Sequence, residues 1–140
     1  MKKTRLDEWL VAHGHYASRA RARDAILRGC VKIGNAKAEK PSRAIALDES
    51  VKIEDPAISY VSRAALKLLH ALEIEPRDLK GLVALDIGAS TGGFTEVALA
   101  YGAAHVYAVD VGTAQLADVL KENHAITSLE QTDARDIQQD

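Results

Sequence analysis

The sequence predicts an α/β chain in two parts. A small α+β domain covers residues 1–57, and the first half of a doubly wound, parallel-sheet domain covers 58–140. Three observations carry this reading. First, charge is divided: residues 1–43 hold eleven Lys and Arg against four Asp and Glu, or +7, and the net charge of −2 leaves −9 for the remainder. Second, the stretch from Gly81 to Gly112, GLVALDIGASTGGFTEVALAYGAAHVYAVDVG, reads as strand, glycine-rich turn, helix and strand. Third, Asp55-Pro56-Ala57 reads as a linker between the two, because proline does not sit in mid-strand.

The composition is that of an ordinary globular protein, 47% hydrophobic and 27% charged over 140 residues. The single cysteine, Cys30, excludes an intramolecular disulfide and a multi-cysteine zinc site, fits a reducing cytoplasm, and reads as a small core residue. The five histidines form no i, i+4 pair, so no metal site is expected. The N-terminus is basic but has no apolar run behind it, which argues against a secretory signal. No stretch approaches the roughly 18 apolar residues of a membrane span. A cytoplasmic protein without membrane contact is expected, and a pore-forming role is disfavoured.

In the basic part, Thr4 reads as the N-cap of a first helix, with Asp7 and Glu8 in its first turn and Leu6, Trp9 and Leu10 on one face. Gly14 stops it. Ser18 caps a second helix, SRARARDAILRG, which Gly29 ends. Ala22, Ala25 and Ile26 form its narrow apolar side, flanked by Arg19, Arg21, Arg23 and Arg28. CVKIGNAK alternates and turns at Gly34-Asn35, a hairpin signal, and SVKIED is a further strand. Guanidinium groups on one face suit a polyanion, since their forks grip phosphate oxygens in pairs. A solvated helix that binds nothing is the plain alternative.

The run RLDEWLVAHGHYASRARARDAILRGCVKIGNAKAEKPS resembles the alpha-L RNA-binding motif over about residues 4–55. The match is carried by Arg5-Leu6-Asp7, Ser18-Arg19, Ala22-Arg23, Ile26, Gly29, Val31 and Pro41-Ser42, with Gly34-Asn35 reversing the family's usual turn order. The resemblance implies binding of structured RNA through shape and phosphates. Arg5, Arg19, Arg21, Arg23, Arg28 and Lys32 are the expected contacts.

In the acidic part, YVSRAALKLLHAL predicts a helix capped by Ser62, with Ala65, Leu68, Leu69 and Leu72 inward and Arg63 and Lys67 one turn apart on another face. LVALD is a buried parallel strand ending at Asp86. The turn Gly88-Ala89-Ser90-Thr91-Gly92-Gly93 leads into FTEVALAYGA, a helix with Val97, Ala98 and Leu99 toward the sheet. HVYAVD is a second strand, TAQLADVLKEN a second amphipathic helix, and AITSLE a third strand.

A dinucleotide fingerprint requires glycine where this turn has Ser90. Asp86, two residues before Gly88, instead suits S-adenosyl-L-methionine, whose methionine end is cationic and has no phosphate to cradle. The turn amides, with Gly92 and Gly93, suit its carboxylate. Asp110 ends the next strand at the spacing of a carboxylate that receives ribose hydroxyls. Asp133, past the third strand, is placed to accept from an adenine amino group.

YVSRAALKL, LDIGASTGGFTEVAL and AVDVGTAQL together resemble the TlyA-type proteins, called hemolysins by an old name and understood as ribosomal RNA cytidine 2′-O-methyltransferases. The resemblance covers essentially the whole chain, head and body in family order. It implies a small alpha-L RNA-binding domain followed by a Rossmann-like, FtsJ-like methyltransferase body, with structured RNA, ribosomal RNA or ribosomal subunits as partner. Lys67 matches the first lysine of the FtsJ-type Lys-Asp-Lys-Glu tetrad, a base or positioning cation for the ribose hydroxyl; residues 111–140 hold no match to the other three. The body looks like an N-terminal half, so the chain alone is expected not to methylate RNA and to self-associate through an exposed sheet edge. The alternative is a non-catalytic RNA-binding module carrying a truncated methyltransferase platform.

Overall fold

The computed structural model describes residues 3–138. The chain divides into two compact units, Met1–Ile58 and Ser59–Asp140.

The first unit contains β1 (Thr4–Arg5), α1 (Leu6–Ala12), α2 (Arg19–Leu27), β2 (Val31–Ile33), β3 (Ala36–Lys37), β4 (Ala44–Ile45) and β5 (Val51–Ile53). β1 pairs antiparallel with β4, and β3, β2 and β5 form a three-stranded antiparallel sheet with β2 central. Leu6 and Leu10 of α1 meet Ala22, Ala25 and Ile26 of α2 above Val31, Ala38 and Ile45 in one core. α2 forms as expected: the Ser18 hydroxyl accepts the Arg21 amide at 3.2 Å, and Gly29 at φ +77° turns the chain out of the helix. Val31 and Ile33 alternate with Lys32, and the Gly34-Asn35 turn returns the chain to β3.

Thr4 is not the cap of α1. Arg5 holds the N-cap position without a side-chain capping bond, and the first amides are satisfied elsewhere: Leu6 N–H donates to the Arg43 carbonyl at 2.8 Å and Asp7 N–H to the Pro41 carbonyl at 3.1 Å. Thr4 instead pairs with Ile45. Asp55-Pro56-Ala57, read as the linker, lies at the end of the first unit, which closes at Ile58, and it is packed there, since Asp55 and Ala57 are both buried. Asp55 accepts from Arg28 at 2.9 and 3.1 Å, from the Tyr16 hydroxyl at 2.8 Å and from the Ala57 amide at 2.9 Å.

The second unit contains α3 (Ala65–Ile74), β6 (Val83–Ile87), α4 (Gly93–Ala100), β7 (His105–Val109), α5 (Asp118–Lys121), β8 (Ile126–Leu129) and a 3-10 turn over Ala134–Asp136. The strands run parallel in the order β6-β7-β8, with Val83 beside His105 and Val106 beside Ile126. On one face of the sheet, Ala84, Val106 and Ala108 meet Ala98, Leu99 and Ala103 and, farther along, Leu116 and Leu120. α3 packs on α4 through Ala65, Leu72 and Val97.

Three expectations change here. α3 begins at Ala65, with Ala64 and not Ser62 at its N-cap. The second amphipathic helix contracts to Asp118–Lys121, because the Ala117 amide is drawn to the Thr91 carbonyl at 3.0 Å and Leu116 is packed against Gly92. β6 is not buried on both sides: Val83, Leu85 and Ile87 point to the other face and are 65%, 51% and 64% exposed, with Tyr107 beside them.

Candidate functional site

β6 delivers Asp86 and Ile87 to the carboxyl end of the parallel sheet, where the chain must turn sharply into α4. Gly88 at φ +73° and Gly92 at φ +99° take the left-handed conformations that turn requires, and Ser90 takes one too, at φ +52°. The bend is braced from the neighbouring strand end: the Gly88 and Ala89 amides donate to the Val109 carbonyl at 2.8 and 2.9 Å. Asp110 completes the brace. Its Oδ2 accepts the Ser90 amide at 2.8 Å and its Oδ1 the Gly112 amide at 2.8 Å. Those two amides, Gly112 first, hold the Asp110 carboxyl below the usual carboxylate range. Each oxygen keeps a further lone pair for a ligand hydroxyl.

Gly93 opens α4 without a side chain because none fits. A Cβ there would fall 2.6 Å from Ser62 Oγ and 2.9 Å from the Ala65 amide nitrogen. Thr95, fully buried, donates its hydroxyl to Asp86 Oδ2 at 2.7 Å, fixing that carboxylate at the strand tip.

Two hollows meet at Ile87 and Gly88. One, of about 330 Å³, is lined by Ser62, Arg63, Asp86, Gly88, Ser90, Thr91, Gly93 and Phe94. The other, of about 220 Å³, is lined by Gly88, Val109, Asp110, Val111, Thr132, Asp133 and Ala134. Gly88 is the saddle, and a Cβ built on it would meet nothing within 4 Å. The residues read from the sequence are thereby sorted: Asp86, Ser90 and Gly93 on one side, Asp110 and Asp133 on the other, Gly92 beneath against Leu116 and Leu120.

Asp133 is engaged locally. It accepts the Arg135 amide at 2.9 Å and the Arg135 guanidinium at 2.6 Å, and that guanidinium first holds its carboxyl low. Lys67 is exposed on α3 and does not line either hollow; Arg63, one turn earlier, does. Ser62 escapes notice in the sequence as a site residue because it reads as a helix cap. Its hydroxyl is buried without a hydrogen-bond partner, an orphan polar atom on the wall of the first hollow.

In the first unit, most of the arginines serve the fold. Arg5 and Arg19 reach the buried Asp7 at 3.0 and 3.4 Å, and Arg28 pairs with Asp24 and Asp55. Arg21 donates to the Ala57 carbonyl at 3.1 Å, and Lys32 pairs with Glu54 at 2.8 Å. Arg23 is exposed on α2. Among the described residues, no group of three or more His, Cys, Asp and Glu could hold a metal ion, and no helix is long and apolar enough to cross a membrane.

The FtsJ-like methyltransferase family model matches residues 60–140, and the S4 domain model residues 4–51. The chain belongs to the FtsJ-like methyltransferase family. It is 42% identical over 137 residues to the 16S/23S rRNA (cytidine-2′-O)-methyltransferase TlyA of Mycobacterium tuberculosis, covering 97% of this chain and 51% of that protein. It is 40% identical over 133 residues to Hemolysin A of Brachyspira hyodysenteriae, covering 95% and 55%. A solved structure from Streptococcus thermophilus that carries a hemolysin name is 37% identical, with a TM-score of 0.61 over 98% of this chain and 50% of that one. The chain thus spans about half the length of the curated relatives it matches. The family assignment agrees with the parallel sheet and with the resemblance read from the motifs.

Proposed function

We propose that this chain is the RNA-binding and methyl-donor-binding part of a ribosomal RNA 2′-O-methyltransferase that uses S-adenosyl-L-methionine. The observation that carries the reading is the pair of hollows joined at Gly88. An elongated ligand with a cationic, amphoteric end and a nucleoside end has complementary groups on each side. In this reading Asp86, held by Thr95, faces the amino group, and the amides of Thr91 and Gly93, with Ser62, face the carboxylate, while Ser90 and Gly92 hold the shape of the turn. Asp110 receives the ribose hydroxyls, and Asp133 is reached by the adenine amino group once it yields part of its bond to Arg135. The orphan Ser62 hydroxyl supports the fit, because it awaits a partner that the protein does not supply.

When bound, the donor supplies an electrophilic methyl group. The chain's own residues orient that donor and bring the RNA. Lys67 is the proposed base or positioning cation for the 2′-hydroxyl, and Arg63, one turn earlier, lines the hollow. Arg23, Lys32 and neighbouring cations of the first unit are the proposed RNA contacts. Self-association through the outer edge of β6 belongs to the same reading, since an edge strand presents unpaired backbone groups.

Labelled methyl transfer to ribosomal RNA tests this, with the M. tuberculosis relative as positive control. The expectation is incorporation at a ribose 2′-oxygen by the relative, and RNA binding without turnover by this chain. Turnover by this chain alone, or label found on a base, would contradict the proposal. A second reading, a non-catalytic RNA-binding module, is favoured by Lys67 lying outside the hollows. It requires that the donor not bind.

A further inference from the structure

We propose that the first unit contacts RNA phosphates through a row of three lysines across the outer face of its three-stranded sheet, Lys37, Lys32 and Lys52, with Glu54 occupying the anion position when RNA is absent. The inference rests on the reading that this unit binds RNA.

The row is a consequence of register. Lys32 at the centre of β2 stands opposite Lys37 on β3 and opposite Lys52 on β5. Alternation along the strands sends Val31, Ile33, Val51 and Ile53 toward the core, so all three lysines share the other face. Adjacent strands are about 4.8 Å apart, so three ammonium groups are anchored across roughly 10 Å. Like charges placed directly opposite one another destabilise a sheet. Sequence position alone hides this arrangement, because only Lys32 stands out beside the hairpin, and Lys37 and Lys52 become its neighbours through pairing.

One carboxylate partly offsets the row. Glu54, two residues past Lys52, bonds Lys32 Nζ at 2.8 Å, and its carboxyl is held below the usual range by Lys32 first and also by Lys52 and Lys37. It is nonetheless 66% exposed, so an incoming anion has open access to the same cations. The Lys37 side chain runs along Gly29, with its Cδ 3.4 Å and its Nζ 3.5 Å from where a Cβ would stand, so glycine at that position leaves room for it. Three lysines against one glutamate leave a surplus of two positive charges, and a phosphate backbone offers successive anions to match. Arg5, Arg19 and Arg28 pair with the buried carboxylates of Asp7 and Asp55, which would be left without those partners if the arginines turned to RNA, whereas the Glu54 that holds Lys32 is exposed.

The test is the salt dependence of binding to a labelled ribosomal RNA hairpin. Wild type is compared with a Lys32→Gln/Lys37→Gln/Lys52→Gln triple variant, with Glu54→Gln, and with Lys80→Gln, a single-charge control in the second unit. The triple variant should lower the slope of log K against log salt by two to three units, at about 0.9 per phosphate contact. It should do so with an unchanged or higher melting temperature, since like-charge pairs are removed. Glu54→Gln should bind several-fold tighter at low salt, because the competing carboxylate is gone. Lys80→Gln should match wild type. A triple variant with the wild-type slope, or a Glu54→Gln that binds no tighter, overturns the row while leaving RNA binding by the unit in place. Wild type that binds anionic phosphatidylserine vesicles but no RNA overturns both readings.

Discussion

At Ser62 a buried hydroxyl faces a hollow with nothing in the protein to bond. An unsatisfied buried polar group costs about 1–3 kcal/mol, so Ser62→Ala should leave thermal stability unchanged or raise it. The same change should weaken S-adenosylmethionine binding by about 1 kcal/mol, roughly fivefold, if the hydroxyl is a donor contact. Calorimetry and a melting curve on one sample separate these effects, and a variant that melts lower with unchanged affinity would make Ser62 structural. Asp55 lies at the other extreme, fully satisfied. Burial pushes its carboxyl up, but Arg28, the Ala57 amide and Tyr16 outweigh that and leave it below the usual carboxylate range. Asp7 is also held low, chiefly by Arg5. A depressed folded-state pKa contributes stability that is present above the unfolded value near 3.9 and is lost as pH falls through the folded value. Denaturant unfolding followed by the Trp9 fluorescence of the first unit should therefore be flat from neutral pH to about 5 and fall below about 4. Asp55→Ala should cost about 3–5 kcal/mol, because Arg28 and Tyr16 then lose a buried partner. A variant as stable as wild type at pH 7 would show that the cluster is not what closes the first unit.

At the scale of elements, the turn into α4 is where geometry decides function. Gly93→Ala should destabilise by about 1–3 kcal/mol through overpacking, because one of the atoms it meets is backbone and cannot swing aside. A melting temperature unchanged in Gly93→Ala would mean that the segment from Ser62 to Ala65 yields freely. The strand–turn–helix–strand unit is legible in the sequence because its signals are local: an apolar run, glycines at left-handed positions, and Asp110 at a fixed spacing. The α2 cap and the β2–β3 hairpin are legible for the same reason. What escapes is set by partners far along the chain. Thr4 is drawn from a capping role because Pro41 and Arg43 carbonyls already serve the α1 amides. α5 loses its first turns to a bond with Thr91, and Asp55 looks like a linker because Arg28 and Tyr16, which bury it, lie 27 and 39 residues away. The lysine row escapes likewise, since cross-strand neighbours have no signature in a local window.

For the molecule as a whole, the two units carry different surfaces. The first offers a basic small sheet and helix pair, the second an acid-rimmed parallel sheet with the family's turn. One face of the parallel sheet is covered by α4 and the segment around Leu116 and Leu120, and the other presents Val83, Leu85, Ile87 and Tyr107 to solvent. Donor binding is the step of the proposed reading that rests on residues of this chain alone. The most direct measurement is a calorimetric titration of the chain with S-adenosylmethionine, with NAD as the control and Asp110→Ala as the paired variant. The expected result is saturable one-to-one binding of S-adenosylmethionine, little or none of NAD at the same concentrations, and a loss of about 1–3 kcal/mol in Asp110→Ala. Equal binding of NAD, no binding of the methyl donor, or an Asp110→Ala variant that binds like wild type would contradict it.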